Sequence, residues 1–202
     1  MTIRIVALGD STTAGTPGFL SPLEVPPDGS GNPESQYTYW IRKMHPDWII
    51  LNRGVNGQRT DEILARFNRD VVQENPHWVI ILAGVNDVYQ GSSMEMIKSN
   101  LVALYQRSLA AEIRPVACTI LPYNTASAEE CESIRELNAF IEQTASQLRI
   151  AFCDSNRAVA DPENPDRLRG SPDENHPDVS GYRSMGNALT QVIERQLKVH
   201  AS

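Results

Sequence analysis

Five short apolar runs punctuate this chain: Ile3–Leu8, Trp48–Leu51, Trp78–Ala83, Ile113–Leu121 and Ile150–Cys153. A strand with one wet face alternates apolar and polar side chains. Val- and Ile-rich runs without alternation therefore predict strands covered on both faces, as in a parallel sheet. Helical stripes lie between and after the runs. Ile63, Leu64, Phe67 and Val71 share one face, as do Ile97, Leu101, Leu104 and Tyr105. Ile134, Leu137, Ile141, Ala145 and Leu148 form a third stripe, and Tyr182, Met185, Leu189, Val192 and Ile193 a fourth. Ser92–Glu95 and Ser127–Glu130 read as capping boxes opening the second and third of these helices. This alternation predicts βαβ units in an α/β fold: a three-layer α/β/α sandwich on a five-stranded parallel sheet, in the flavodoxin-like order 2-1-3-4-5. The 202 residues suit one domain spanning 1–202. Thr16–Ser35, rich in Gly, Pro and Ser, has no period and reads as a long functional loop.

Composition narrows the function. The net charge is −7 and no block of basic residues occurs, a poor match to nucleic acid or to an anionic membrane surface. The longest apolar stretch, around Trp78–Val85, is too short to span a bilayer. Ile3–Leu8 runs directly into Gly9-Asp10 without the shape of a signal peptide, so a cytoplasmic location is expected. Cys118, Cys131 and Cys153 form no C-x-x-C pair and read as buried, reduced thiols. No Cys/His cluster has metal-ligand spacing, and neither a metal nor a cofactor is expected. Oligomeric state has no signature here.

Parallel α/β sheets bind ligands at the carboxyl ends of their strands, near the switch in strand order. The first run ends in Gly9-Asp10-Ser11-Thr12, the second in Asn52-Arg53-Gly54-Val55-Asn56-Gly57 and the third in Gly84-Val85-Asn86-Asp87. In a 2-1-3 order these ends are neighbours. They bring a hydroxyl, glycine amides and a side-chain amide to one mouth. A hydroxyl needs a base to become a nucleophile. Of the four histidines, His45, His77 and His200 read as surface residues. His176 lies in a loop leading from the last strand to the last helix, with Asp173 three residues before it. That spacing lets the carboxylate reach Nδ1 while Nε2 faces Ser11. Each feature alone also fits a turn or a solvated loop; their conjunction at one sheet edge is the signal. Asp10, Tyr89, Tyr123 and Asn124 sit where they would contact substrate, and the 16–35 loop, which leaves the strand that carries Ser11, is expected to line the pocket. Asp154-Ser155 also follows a strand, but at the far edge of the sheet.

These blocks resemble the SGNH hydrolases, also called the GDSL esterase/lipase family, over nearly the whole chain. Gly9-Asp10-Ser11 resembles the first block, Asn52–Gly57 the second, Gly84-Val85-Asn86-Asp87 the third, and Asp173-Glu174-Asn175-His176-Pro177 the D-x-x-H-P block. The resemblance implies Ser11 as nucleophile, His176 as base and Asp173 as its partner. It implies oxyanion donors at Ser11, Asn86 and a second-block glycine, Gly57 or Gly54, with Gly57 the better fit ahead of a helix start such as Thr60. The G-x-S-x-G elbow of the α/β-hydrolases is absent, since Thr13 replaces its second glycine. The expected activity is hydrolysis of small or medium carboxylic esters, short-chain acyl or acetylated carbohydrate. Lysophospholipase or thioesterase activity, or a non-catalytic binding module on the same fold, are the alternatives.

Overall fold

The computed structural model describes residues 2–199; His200 lies outside them. Five strands form one parallel sheet: β1 (Arg4–Gly9), β2 (Ile49–Gly54), β3 (Trp78–Leu82), β4 (Arg114–Cys118) and β5 (Ala151–Cys153). Their order is β2-β1-β3-β4-β5, the flavodoxin-like arrangement. Along β1 the side chains alternate between two cores, because successive residues on a strand point to opposite faces. Val6 and Leu8 pack with Ile63, Phe67, Val79, Ile81, Leu101 and Ile141 on one side. Ile5 and Ala7 pack with Tyr37, Ile41, Ile80, Tyr182, Met185 and Leu189 on the other. Each large side chain buried this way contributes roughly 1.5–3 kcal/mol.

The helices follow the predicted stripes with two differences, and α2 (Tyr37–Met44) and α8 (Ser155–Val159) lie outside those stripes. Helix α7 (Ala128–Leu148) opens on the expected capping box: Glu130 N donates to Ser127 Oγ at 3.2 Å, and Ser127 N donates to Glu130 Oε2 at 2.8 Å. Helix α9 (Val179–Val199) follows Asp178, whose Oδ1 accepts from Gly181 N at 2.7 Å. Helix α6 (Met94–Ala110), in contrast, is capped by Ser93 and not by Ser92. The Ser92 amide bonds the carbonyl of Asp87 as the chain leaves the short helix α5 (Val85–Tyr89), which keeps Ser92 in that turn, and Ser93 Oγ accepts from Met96 N at 3.3 Å.

The stripe over 63–71 is broken into α3 (Thr60–Ala65) and α4 (Phe67–Asp70), with Arg66 between them at φ −96°, ψ 3°. Its guanidinium explains the break. Arg66 is 6 % exposed, and Nη2 donates to the Gly9 carbonyl at 2.8 Å. Nη1 donates to the Arg53 carbonyl at 2.8 Å and to Asp70 at 2.9 Å. The buried cation thus ties the carboxyl ends of β1 and β2 together. Burial alone pushes the Asp70 carboxyl up, but hydrogen bonds from Arg69 and Arg66 outweigh it and hold the group below its usual range.

Thr16–Ser35 is ordered as a two-residue antiparallel ladder, Phe19–Leu20 against Ser30–Gly31, followed by a 3₁₀ turn at Pro33–Ser35. Asp70→Ala strands the Arg66 charge in the core and should cost about 3–5 kcal/mol at pH 7 in urea denaturation. Because the folded pKa of Asp70 is depressed, its contribution is complete above the unfolded value near 3.9 and fades as pH falls through the folded one. The gap between variant and wild type should therefore close at strongly acid pH.

Candidate active site

A cleft of about 280 Å³ opens at the carboxyl edge of β1, β2 and β3. Ser11, the first residue of the one-turn helix α1 (Ser11–Ala14), forms part of its floor. This helix packs directly on β2: a Cβ on Gly54 would lie 2.1 Å from the Ala14 amide nitrogen, so only glycine fits there. The Gly54 amide is already used, donating to Asn52 Oδ1 at 2.9 Å. Gly57, at φ +75°, lines the cleft, and nothing stands within 4 Å of where its Cβ would be. Of the two second-block glycines, Gly57 alone faces the void with a backbone that other residues rarely adopt.

His176 reaches across from the loop before α9. Its Nε2 lies 2.9 Å from Ser11 Oγ, and its Nδ1 lies 2.7 Å from Asp173 Oδ2. A carboxylate on Nδ1 keeps the ring proton there and leaves Nε2 free to accept from the serine hydroxyl. Asp173 Oδ1 accepts from the backbone of Asn175 at 3.0 Å and of His176 at 2.8 Å. Partial burial raises the Asp173 carboxyl, yet these bonds and the ring outweigh it and keep the group below its usual range.

Asn86, on α5, donates one Nδ2 hydrogen to the Gln58 carbonyl at 3.0 Å. It also lines the cleft, where its second hydrogen is available. The neighbouring Asp87 is wholly buried and accepts from Thr60 N at 2.8 Å and Thr60 Oγ1 at 2.6 Å. The later half of the loop after β2 is thereby bolted to α5, at Gln58 and at Thr60. Gln90 adds a bond from Nε2 to the Gly57 carbonyl at 3.3 Å.

Other residues singled out in the sequence fall differently. Tyr89 and Tyr123 do line the cleft; their rings meet edge to face at 6.0 Å, and Tyr89 is 64 % exposed. Asn124 does not line it. Its side chain accepts from Leu168 N at 2.7 Å, and its amide donates to the Glu174 carbonyl at 2.6 Å, so it fastens the loop that carries Asp173 and His176. Asp10 is also off the cleft: it is 1 % exposed and caps α1 by accepting from Thr12 N at 2.9 Å. No residue of the 16–35 loop lines the cleft. Ser155 is fully buried beside Cys153. His45 stacks on Trp48 and bonds Glu194, and His77 accepts from Arg4 N. Arg66 and Asp87 went unassigned in the sequence because their partners lie on other elements.

The sequence matches the GDSL-like Lipase/Acylhydrolase family over residues 7–184. An acetylxylan esterase of Geobacillus stearothermophilus is 27 % identical over 158 residues, 71 % of each chain. A lipoprotein of Bacillus subtilis is 30 % identical over 126 residues, 58 % of this chain and 48 % of that one. A G-D-S-L family protein from Desulfitobacterium hafniense superposes with a TM-score of 0.79 at 25 % identity, covering 95 % of this chain and 99 % of the other. Among the described residues, no helix is long and apolar enough to cross a membrane.

Burial, and secondarily the charge of Asp87, pushes the Asp10 carboxyl up to about 7 against the opposing bond from Thr12. A raised folded pKa favours the native state most below the unfolded value and loses that advantage as pH rises to the folded one. From this group alone, stability should fall between about pH 4 and 7 by on the order of 2–4 kcal/mol. Asp10→Asn, which keeps an acceptor for the Thr12 amide, should flatten that slope in urea titrations across pH 4–9.

Proposed function

The chain belongs to the GDSL-like lipase/acylhydrolase family and is an ester-bond hydrolase, and we propose that it is a serine esterase acting on short-chain carboxylic esters, acetylated carbohydrate among them. The observation that carries this reading is the 2.9 Å contact between Ser11 Oγ and His176 Nε2, with Asp173 2.7 Å from the opposite ring nitrogen. In the proposed cycle, Ser11 Oγ attacks the acyl carbonyl as its proton passes to Nε2. Asp173 holds the resulting imidazolium in place. The carbonyl oxygen takes up negative charge and is received by the amides of Ser11 and Gly57 and by the free Asn86 Nδ2 hydrogen. Collapse breaks the bond to the alcohol, which leaves with the His176 proton. Water then adds to the acyl-enzyme with the same base, releasing the acid and restoring the serine.

Two features support a small acyl group. The cleft holds about 280 Å³, below the range usual for drug-sized ligands. Its lining sets the polar side chains of Thr12 and Asn175 beside Val85, Leu121 and Pro122, a mixed wall suited to a polar ester. The acetylxylan esterase relative agrees with such a substrate. The exposed Tyr89 ring on the lip gives the leaving group a flat surface to lie on.

Ser11→Ala should abolish turnover of p-nitrophenyl acetate while leaving Tm within about 4 °C, since the hydroxyl's one bond to His176 contributes only about 1 kcal/mol; residual turnover would remove Ser11 from the role. Asn86→Ala should lower kcat by about 10²–10³ with KM little changed, the signature of a donor used in the transition state. In a chain-length series, kcat/KM should stop rising beyond about four acyl carbons. Carbons left in solvent gain none of the roughly 0.8 kcal/mol that burial of a CH₂ provides. A continued rise to long chains would replace this reading with a lipid-directed one.

A further inference from the structure

Thr16–Ser35 is a long, ordered segment that leaves the nucleophile helix but does not enter the cleft. Its polar contacts show where it acts. Glu24 Oε2 accepts from Ser21 N at 3.0 Å within the segment. Glu24 Oε1 reaches outward and accepts two bonds from one residue, Asn56 N at 2.9 Å and Asn56 Nδ2 at 2.6 Å. The Thr16 hydroxyl donates to Asn56 Oδ1, so every polar atom of that amide side chain is held by the segment. Ser21 Oγ donates to the Gly54 carbonyl at 2.6 Å. Asn56 immediately precedes Gly57, and both line the cleft.

Resting on the serine-esterase reading above, we propose that Glu24 is a positioning residue for the oxyanion hole: through Asn56 it fixes the peptide whose N–H belongs to Gly57. A donor stabilises the transition state only if it already points to where the oxyanion forms, and a displacement near 1 Å is enough to forfeit about 10²-fold. Gln90 and Asp87 restrain this loop from the α5 side, at the Gly57 carbonyl and at Thr60. Without Glu24, Asn56 keeps the bond from Thr16, and the chain before it is held at Gly54 by Ser21 and at Val55, whose amide donates to the Gly9 carbonyl at 3.2 Å. A carboxylate suits the task because one oxygen accepts both Asn56 donors while the second is anchored to Ser21, and bonds to an ionised acceptor are the stronger kind.

The test compares Glu24→Ala and Glu24→Gln in the full chain. For Glu24→Ala, kcat on p-nitrophenyl acetate should fall about 10- to 100-fold with KM within twofold. Inhibition by a short alkyl boronic acid, which forms a tetrahedral adduct on serine, should weaken by the same factor. Glu24→Gln keeps one carbonyl oxygen for Asn56 but turns an NH₂ donor toward the Ser21 amide, so it should recover only part of the loss, with kcat above that of Glu24→Ala and below wild type. A purely structural role would lower Tm and leave the kinetics of the folded fraction unchanged. Should Glu24→Ala fail to fold, Thr16→Val, which removes only the hydroxyl bond to Asn56 Oδ1, should still lower kcat about 3- to 10-fold with KM unchanged. Wild-type kcat and boronate affinity in the folded variant, or in Thr16→Val where Glu24→Ala does not fold, would overturn the proposal. An inactive wild type, or an active Ser11→Ala, would instead defeat the esterase reading itself.

Discussion

The placement of β1 between β2 and β3 governs the rest of the molecule. Parallel pairing sets Gly9 level with Gly54 on one side and with Leu82 on the other, so three chain segments reach the same edge at the same height. The helix that follows β1 has nowhere to go but over β2, and it fits only because Gly54 has no side chain to meet Ala14. That close approach puts Ser11 at the start of a helix, beside the loop of Gly57 and the helix of Asn86. A sheet buried on both faces pays no attention to what its edge carries, so the edge is free to hold polar chemistry.

Polar groups hidden beneath that edge keep it rigid. Arg66 bridges the carbonyls at the ends of β1 and β2. Asp87 locks the start of α3 to α5 through Thr60. Each is buried with its partners in place, the condition under which such groups favour one arrangement over its neighbours. Asp10 caps the helix of Ser11 from below, and Asn124 secures the loop of His176 from its far side. The residues that meet substrate in the proposed cycle are thus few, and those that hold them still are more numerous.

Much of this was legible in the residues. The five apolar runs marked the five strands, since a two-sided buried strand has no polar positions to confuse its period. Ser11, Asp173 and His176 stood out because hydroxyl, carboxylate and imidazole each followed a strand or entered a helix. Two of the errors share one cause. Asp10 and Asn124 sit beside site residues in sequence, but a strand end turns successive side chains in different directions, one to the cleft and the next to the interior. The split of the 60–70 helix came from a long-range demand, that of the Arg66 guanidinium, and the shift of the α6 cap from Ser92 to Ser93 from the turn that ties Ser92 back to the Asp87 carbonyl. The 16–35 segment looked like a pocket wall because nothing in its composition tells a wall from a brace.

By itself the sequence determined the layers, the strand order expected of them and the chemical groups available at each strand end. Those depend on periodicity and side-chain identity, which are local. Only the tertiary structure decided that Ser11 and His176, 165 residues apart, meet at 2.9 Å, that Gly57 and not Gly54 faces the cleft, and that Glu24 grips Asn56. Hydrogen bonds between distant segments need a direction as well as a donor and an acceptor, and direction exists only once the backbone has been placed.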